Sequence, residues 1–132
     1  MNSGIDATNK LLQGLIDRVA DTGWVDLSLS SANIIWTGMG QGRRIGNIVQ
    51  LKFENIRSAN LVDGEKKVVN KLPAAFVPTK QQLVPIIAVP SSGSIVGGYM
   101  TVRTDGSVVI SPLANALYTP SYGVYAQVIY LV

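Results

Sequence analysis

Between Val19 and Trp24 the hydrophobic period of this chain changes from seven residues to two. Upstream, Ile5, Leu12 and Val19 stand seven apart with Thr8 and Leu15 between them, the spacing of a coiled-coil seam. Downstream, Val25, Leu27 and Leu29 alternate with Trp24, Asp26 and Ser28, the pattern of a half-buried strand. An isolated helix shorter than about 12–15 residues is marginal in water, so two heptads need partner chains. The spacing predicts an oligomer whose axis runs along a helical neck (residues 1–22) into a β head (residues 23–132).

Local signals set the limits of the neck. Asp6 lies in its first turn, where a carboxylate suits the positive end of the helix dipole. Asp21, Thr22 and Gly23 supply turn chemistry at its end, with Gly23 as the expected cap. Gly14 costs a helix about 1 kcal/mol relative to Ala and falls outside the seam. Trp24 is the expected packing anchor between neck and head.

Beyond the neck, turn signals recur often and no second helical pattern appears. Strands are expected over 24–29, 33–37, 44–56, 83–89, 95–103, 108–110 and 123–132, with 66–71 as an edge strand or polar connection. The glycine-rich run 38–42 reads as a loop, and Asp105 with Gly106 as a two-residue type I′ hairpin turn. Leu72-Pro73 and Val77-Pro78 read as stiff extended elements, since a residue before proline is pushed into extended backbone. The last segment, apolar on both faces, reads as a strand covered on both sides. The fold class is an all-β, antiparallel sandwich or barrel of seven to nine strands behind a short coiled-coil helix.

Charge divides the head. Residues 40–85 hold eight basic side chains, Arg43, Arg44, Lys52, Arg57, Lys66, Lys67, Lys71 and Lys80, against Glu54, Asp63 and Glu65. That excess suits solubility or an anionic partner. No aromatic residues cluster among these cations, which argues against nucleic acid. From Gln81 to Val132 only Arg103 and Asp105 are charged side chains. Exposed positions normally carry charge, so much of this half is expected to be buried against identical neighbours, a receptor-facing patch being the alternative.

Catalysis finds little to work with. The chain has no Cys and no His, which removes thiol chemistry, the commonest general base and the commonest metal ligand. Asp63, Glu65 and Asp105 sit beside turn glycines, where a structural role accounts for them. The run 38–42 lacks the lysine and following helix of a phosphate loop. We expect no enzyme, no cofactor and no metal site. No apolar run reaches the roughly 20 residues that span a bilayer, and no signal peptide is legible. Binding chemistry remains. Tyr99, Tyr118 and Tyr122 lie in or beside Gly-, Pro- and Ser-rich stretches, and Trp36 adds a broad aromatic face.

Three stretches resemble a known family: Arg44, Gly46, Val49 and Leu51; then Leu72, Pro73, Phe76 and Pro78; then Val102, Asp105, Gly106, Val108 and Ile110. In order and spacing they look like the C-terminal head domains of tailed-phage receptor-binding proteins and tail fibres, notably from phages of lactic acid bacteria. The likeness spans residues 23–132. It implies a homotrimeric β-barrel or sandwich, with the coiled coil as the lower end of a neck. It also implies shallow sites for host cell-wall saccharides, some bearing phosphate. Family sites often include His, which this chain lacks, and the short neck suggests a fragment of a longer protein.

The sequence-level expectation is a homotrimeric head attaching a virion to a bacterial surface saccharide. Its place is the distal tail or baseplate, after synthesis in the host cytoplasm, beside other tail or baseplate proteins, with no nucleic acid and no membrane insertion. Trp36, Tyr99, Arg103, Tyr118 and Tyr122 are the candidate saccharide residues, Arg103 as a charge-assisted donor. Ile5, Leu12, Leu15 and Val19 are the trimerisation residues. The alternatives are a structural trimeric baseplate or capsid-decoration protein, and a cytokine-like or lectin-like trimeric module.

Overall fold

The computed structural model describes residues 3–30, 36–58, 65–113 and 119–132, with side chains at 3 and 17–19 excepted. Helix α1 (Ser3–Val19) precedes β1 (Val25–Asp26), β2 (Thr37–Ile45), β3 (Ile48–Arg57) and β4 (Lys66–Val69). A 3-10 turn (Ala74–Phe76) follows, then β5 (Gln82–Pro90), β6 (Val96–Val102), β7 (Val108–Pro112) and β8 (Tyr122–Leu131). The strands form one antiparallel sheet in the order β1-β2-β3-β8-β5-β6-β7-β4. The all-β class holds, and eight strands fall within the expected range.

The sheet curls around its own core. Val49, Leu51 and Phe53 on β3, Val128 and Tyr130 on β8, Ile86 and Ala88 on β5, and Met100 and Val102 on β6 point inward and are buried. The amide of Leu27 donates to the carbonyl of Gly40 on β2 at 2.9 Å, and that of Ser30 to the carbonyl of Val68 on β4 at 2.7 Å. Residues 27–30 thereby bridge the two margins of the sheet.

One end of this half-barrel is plugged by residues 72–76. Leu72 and Phe76 are buried, the Leu72 amide donates to the Gly106 carbonyl at 2.7 Å, and the Tyr130 hydroxyl donates to the carbonyl of Phe76. Arg44 clamps the plug from the side, donating to the carbonyls of Gly46 at 2.7 Å and Ala75 at 3.0 Å. Arg44, Gly46, Leu72, Phe76 and Gly106, among the residues on which the resemblance rests, thus meet at this closed end.

Helix α1 joins the head at this same end. Gly46 N–H donates to the Ala20 carbonyl at 2.8 Å, Thr22 N–H to the Arg44 carbonyl at 2.9 Å, and Asp21 forms a bridge with Ile45. Arg43 grips Asp21 with two guanidinium nitrogens, one at 2.9 Å, and stands 6.0 Å over the ring of Trp24. That hydrogen bond, with one from Gly23 N–H, lowers the Asp21 carboxyl to about 2. Trp24 itself is exposed and works as a seat for Arg43, not as a buried anchor. Every described side chain from Gly4 to Ile16 is exposed, Ile5, Leu12 and Leu15 included; the side chain of Val19 lies outside the described residues.

Several local expectations need correction. The glycine-rich run 38–42 is no loop but the first half of β2. Gly40 and Gly42 face the core, and a Cβ on Gly42 would stand 2.8 Å from the Phe76 ring. Those glycines make room for aromatic side chains, a demand that local sequence does not announce. The strand expected over 44–56 is two strands, with Gly46 (φ 57°) and Asn47 between them as a two-residue turn. Asp105 keeps a negative φ while Gly106 takes 89°, and Gly106 N–H donates to the Arg103 carbonyl at 3.0 Å. A type I turn followed by a left-handed glycine replaces the expected type I′. Gly23 lies four residues past the last helical residue, in a turn closed by Asp21 Oδ1 at 2.8 Å, and so does not cap α1. Of the strand expected over 24–29, only Val25 and Asp26 pair. Residues 33–35 lie outside the described residues. Finally, β8 is covered on one face only in the single chain: Tyr125, Ile129 and Leu131 are exposed.

Candidate functional site

The strand directions give the head two ends. The turn between β2 and β3 and the helix lie at the plugged, proximal end. The starts of β2 and β8 and the ends of β3 and β5 lie at the other, distal end. At the distal end the pairing breaks register twice, between Thr37 and Met39 and between Phe53 and Ile56. Such bulges re-aim side chains at sheet rims.

Asn55 sits inside the bulge at a positive φ of 51°. Gly38 and Gly123 crowd it: a Cβ on Gly38 would lie 2.3 Å from the Asn55 carbonyl oxygen, and one on Gly123 2.3 Å from its Oδ1. That packing fixes the carboxamide, and Arg57 Nε donates to Asn55 Oδ1 at 3.0 Å. Arg57 Nη1 reaches the carbonyls of Pro120 and Ser121 at 3.3 and 3.4 Å. All of these acceptors are neutral. The ion pairs among the described residues are Arg43 with Asp21, Lys52 with Glu54 and Arg103 with Glu65, so Arg57 has no carboxylate partner among them. Its guanidinium is pre-oriented by three acceptors, the arrangement that favours a fork-like bond to an anionic oxygen.

Two of the aromatic candidates belong to this rim. Trp36 adjoins Thr37, the partner of Arg57 across the β2–β3 pair, and Tyr122 follows Ser121, whose carbonyl Arg57 holds. Both are half-buried and pack against the core, each keeping part of its surface at the rim. Tyr99 stands apart on the outer face of β6, opposite Pro85 of β5, and is 39% exposed. Arg103 lies at the proximal end, in the β6–β7 turn, paired with Glu65. Tyr118 lies outside the described residues. The structure thus places Trp36, Tyr122 and Arg57 at the same end of the head and separates Arg103 from them. Arg57 was legible in the sequence as one of eight basic residues; its isolation from carboxylates depends on the bulge and on contacts across 63 positions.

The outer face carries a second concave feature. Strand β8 pairs with β5 from Tyr122 to Tyr125 and with β3 from Val124 to Leu131, while β5 continues along β6. Beyond Ile87 the strands β5 and β8 part. The gap is a cleft of about 380 Å³ walled by Pro85, Ile87, Tyr125 and Gln127 and edged by the Lys52–Glu54 pair at 2.8 Å.

Among the described residues no group of three or more acidic side chains is gathered as a metal site would require. No described helix is long and apolar enough to cross a membrane. No protein-family profile matches the chain, and no curated protein does. A solved structure does: the head domain of phage bIL170, described in connection with a common fold for the receptor-binding domains of lactococcal phages. The likeness has a TM-score of 0.68 at 18% identity and covers 83% of this chain and 96% of that one. The chain has the fold of a lactococcal phage head domain.

Proposed function

We propose that this chain is the head of a phage receptor-binding protein, a homotrimer that attaches the virion to a saccharide on the bacterial surface. The observation that carries the reading is the fold, which follows the bIL170 head over nearly all of that domain. The geometry supports it from two directions. Helix α1 enters at the plugged end, so the distal rim is the part directed away from whatever the helix is attached to. That rim offers Arg57, which has no carboxylate partner among the described residues, at the same end of the head as Trp36 and Tyr122, a set suited to a phosphate-bearing sugar.

The helix offers apolar side chains beyond its narrow seam. Beside the seam positions, Leu11 and Ile16 are also exposed, 73% and 49%. They occupy the flanking positions of the heptad, and the head sets how many chains the stem gathers. Three weak sites on one rigid stem gain strength through avidity. The protein binds and does not catalyse, and its place is the distal tail or baseplate, beside other tail proteins.

The test uses fluorescently labelled full chain on a panel of lactococcal strains, with purified cell-wall polysaccharide as competitor. The expected result is labelling of some strains, blocked by their own polysaccharide and weakened roughly tenfold by Arg57→Ala, the loss of one charge-assisted contact. A folded trimer that coats no strain would remove the reading and leave the structural baseplate role in its place.

A further inference from the structure

Between the helix and the sheet the chain has no slack. Val19 ends α1, and the carbonyl of the next residue, Ala20, already accepts from Gly46 N–H at 2.8 Å. From there residues 20–27 lie along β2, on the side away from β3. Thr22 N–H donates to the Arg44 carbonyl at 2.9 Å and Asp21 bridges to Ile45. Val25 then pairs with Gly42, Asp26 with Gln41, and Leu27 N–H donates to the Gly40 carbonyl at 2.9 Å. Side chains reinforce the same seam. Arg44 N–H donates to Thr22 Oγ1 at 2.9 Å, Gln41 Nε2 to Asp26 Oδ1 at 3.0 Å, and Arg43 holds Asp21. At the far end Leu27 is buried in the core, and Ser30 N–H ties the segment to Val68 on the opposite margin of the sheet.

The direction of this segment matters as much as its bonds. It runs antiparallel to β2, from the proximal end at Gly46 towards the distal end at Gly40. Backbone bonds between antiparallel strands lie perpendicular to the strands. A pull on α1 away from the distal rim thus acts along the segment and across all of these bonds. They share the load, and Leu27 must leave the core before the segment slides. A strand pair pulled apart from one end behaves differently, since its bonds open in turn and each bears the load alone. The contacts are the same in both cases but the barrier is not, and forced unfolding follows the barrier.

We propose that residues 20–30 form a strap, loaded in shear, that carries tension from the stem into the sheet while the distal rim holds its ligand. This rests on the adhesion reading for the direction of the load, because an attaching head is pulled between stem and rim. A load entering at Trp36, Arg57 or Tyr122 comes in at the distal ends of β2, β3 and β8, opposite to the end where the strap begins. The geometry therefore sets the strap against sliding, its stronger direction.

The chain has no cysteine, so a pair of introduced thiols sets the direction of pull in single-molecule force spectroscopy on the full chain. Lys10→Cys, on the helix face away from the seam, supplies the stem handle. Paired with Ser92→Cys, exposed at the distal end just beyond β5, it loads the strap in shear. Paired with Asn47→Cys, exposed in the proximal turn between β2 and β3, it opens the strap from its Ala20 end. The rupture force is expected to be at least about twofold higher in the first geometry at equal pulling speed. Leu27→Ala should lower the first force and leave the second unchanged, since the bonds that open first lie far from Leu27. Equal forces in the two geometries would overturn the strap, as would a loss of force in both with Leu27→Ala. A twofold ratio in a chain that coats no strain would keep the strap and remove the adhesion reading.

Discussion

The hydroxyl of Tyr130 donates to the carbonyl of Phe76 inside the barrel, joining the last strand to the plug. A 3-10 turn leaves carbonyls without partners, and a buried carbonyl needs one. Tyr130→Phe removes the donor and leaves the acceptor, at a cost of about 1–3 kcal/mol. Urea titration should show a lower midpoint with an unchanged slope, as expected when the folded surface is preserved.

The same residue sets an alkaline limit. Burial holds the Tyr130 phenol well above its ordinary value of 10.0. In the unfolded chain it ionises near that value, so above pH 10 the unfolded state binds fewer protons and stability falls with rising pH. Tyr130→Phe should fall less steeply than the parent chain when unfolding is followed from pH 9 to 11.

Gly42→Ala and Gly14→Ala should move stability in opposite directions. The first places a methyl group 2.8 Å from the Phe76 ring, an overpacking expected to cost about 1–3 kcal/mol. The second meets nothing within 4 Å and gains about 1 kcal/mol of helix propensity. Thermal unfolding followed by circular dichroism distinguishes them, with added helical signal only in the second.

Strong acid loosens the junction of helix and head. With its folded value near 2 against the ordinary 3.8, Asp21 stabilises the junction above about pH 4 and loses that effect as pH falls towards 2. Arg43 then leaves the Trp24 ring. Tryptophan fluorescence should change over this interval in the parent chain and stay flatter in Asp21→Asn.

At the distal rim, Asn55→Gly keeps a backbone that tolerates the positive φ and deletes the oxygen that holds Arg57. Adhesion to cells should weaken several-fold while stability changes little. Asn55→Ala adds backbone strain to the same deletion, and should be about 1 kcal/mol less stable than the glycine variant.

The helical heptad at Ile5, Leu12 and Leu15, the strands rich in Val and Ile, and the extended backbone before Pro73 and Pro78 were legible because each follows from local periodicity or backbone restriction. The 3-10 turn between those prolines was not. The glycines of β2 misled for a definite reason. A glycine freed for a turn and a glycine emptied for an aromatic ring look alike in sequence, and only Phe76, 34 positions from Gly42, distinguishes them. The rim was half legible. Trp36 and Tyr122 stood out by type, whereas Arg57 gains its meaning from a bulge and from carbonyls far along the chain. Arg103 stood out as the lone cation of a neutral half, but its partner Glu65 belongs to the other half.

The bond from Ser30 to Val68 decides how such heads behave when crowded. A sheet with bare lips would seed growth, one molecule adding its strands to the next until fibres formed. Here one lip carries a two-residue strand and the other a short strand bearing Lys66 and Lys67, with residues 27–30 laced between them. Heads at high local density can touch side by side and still separate, which leaves each distal rim free to meet a different partner.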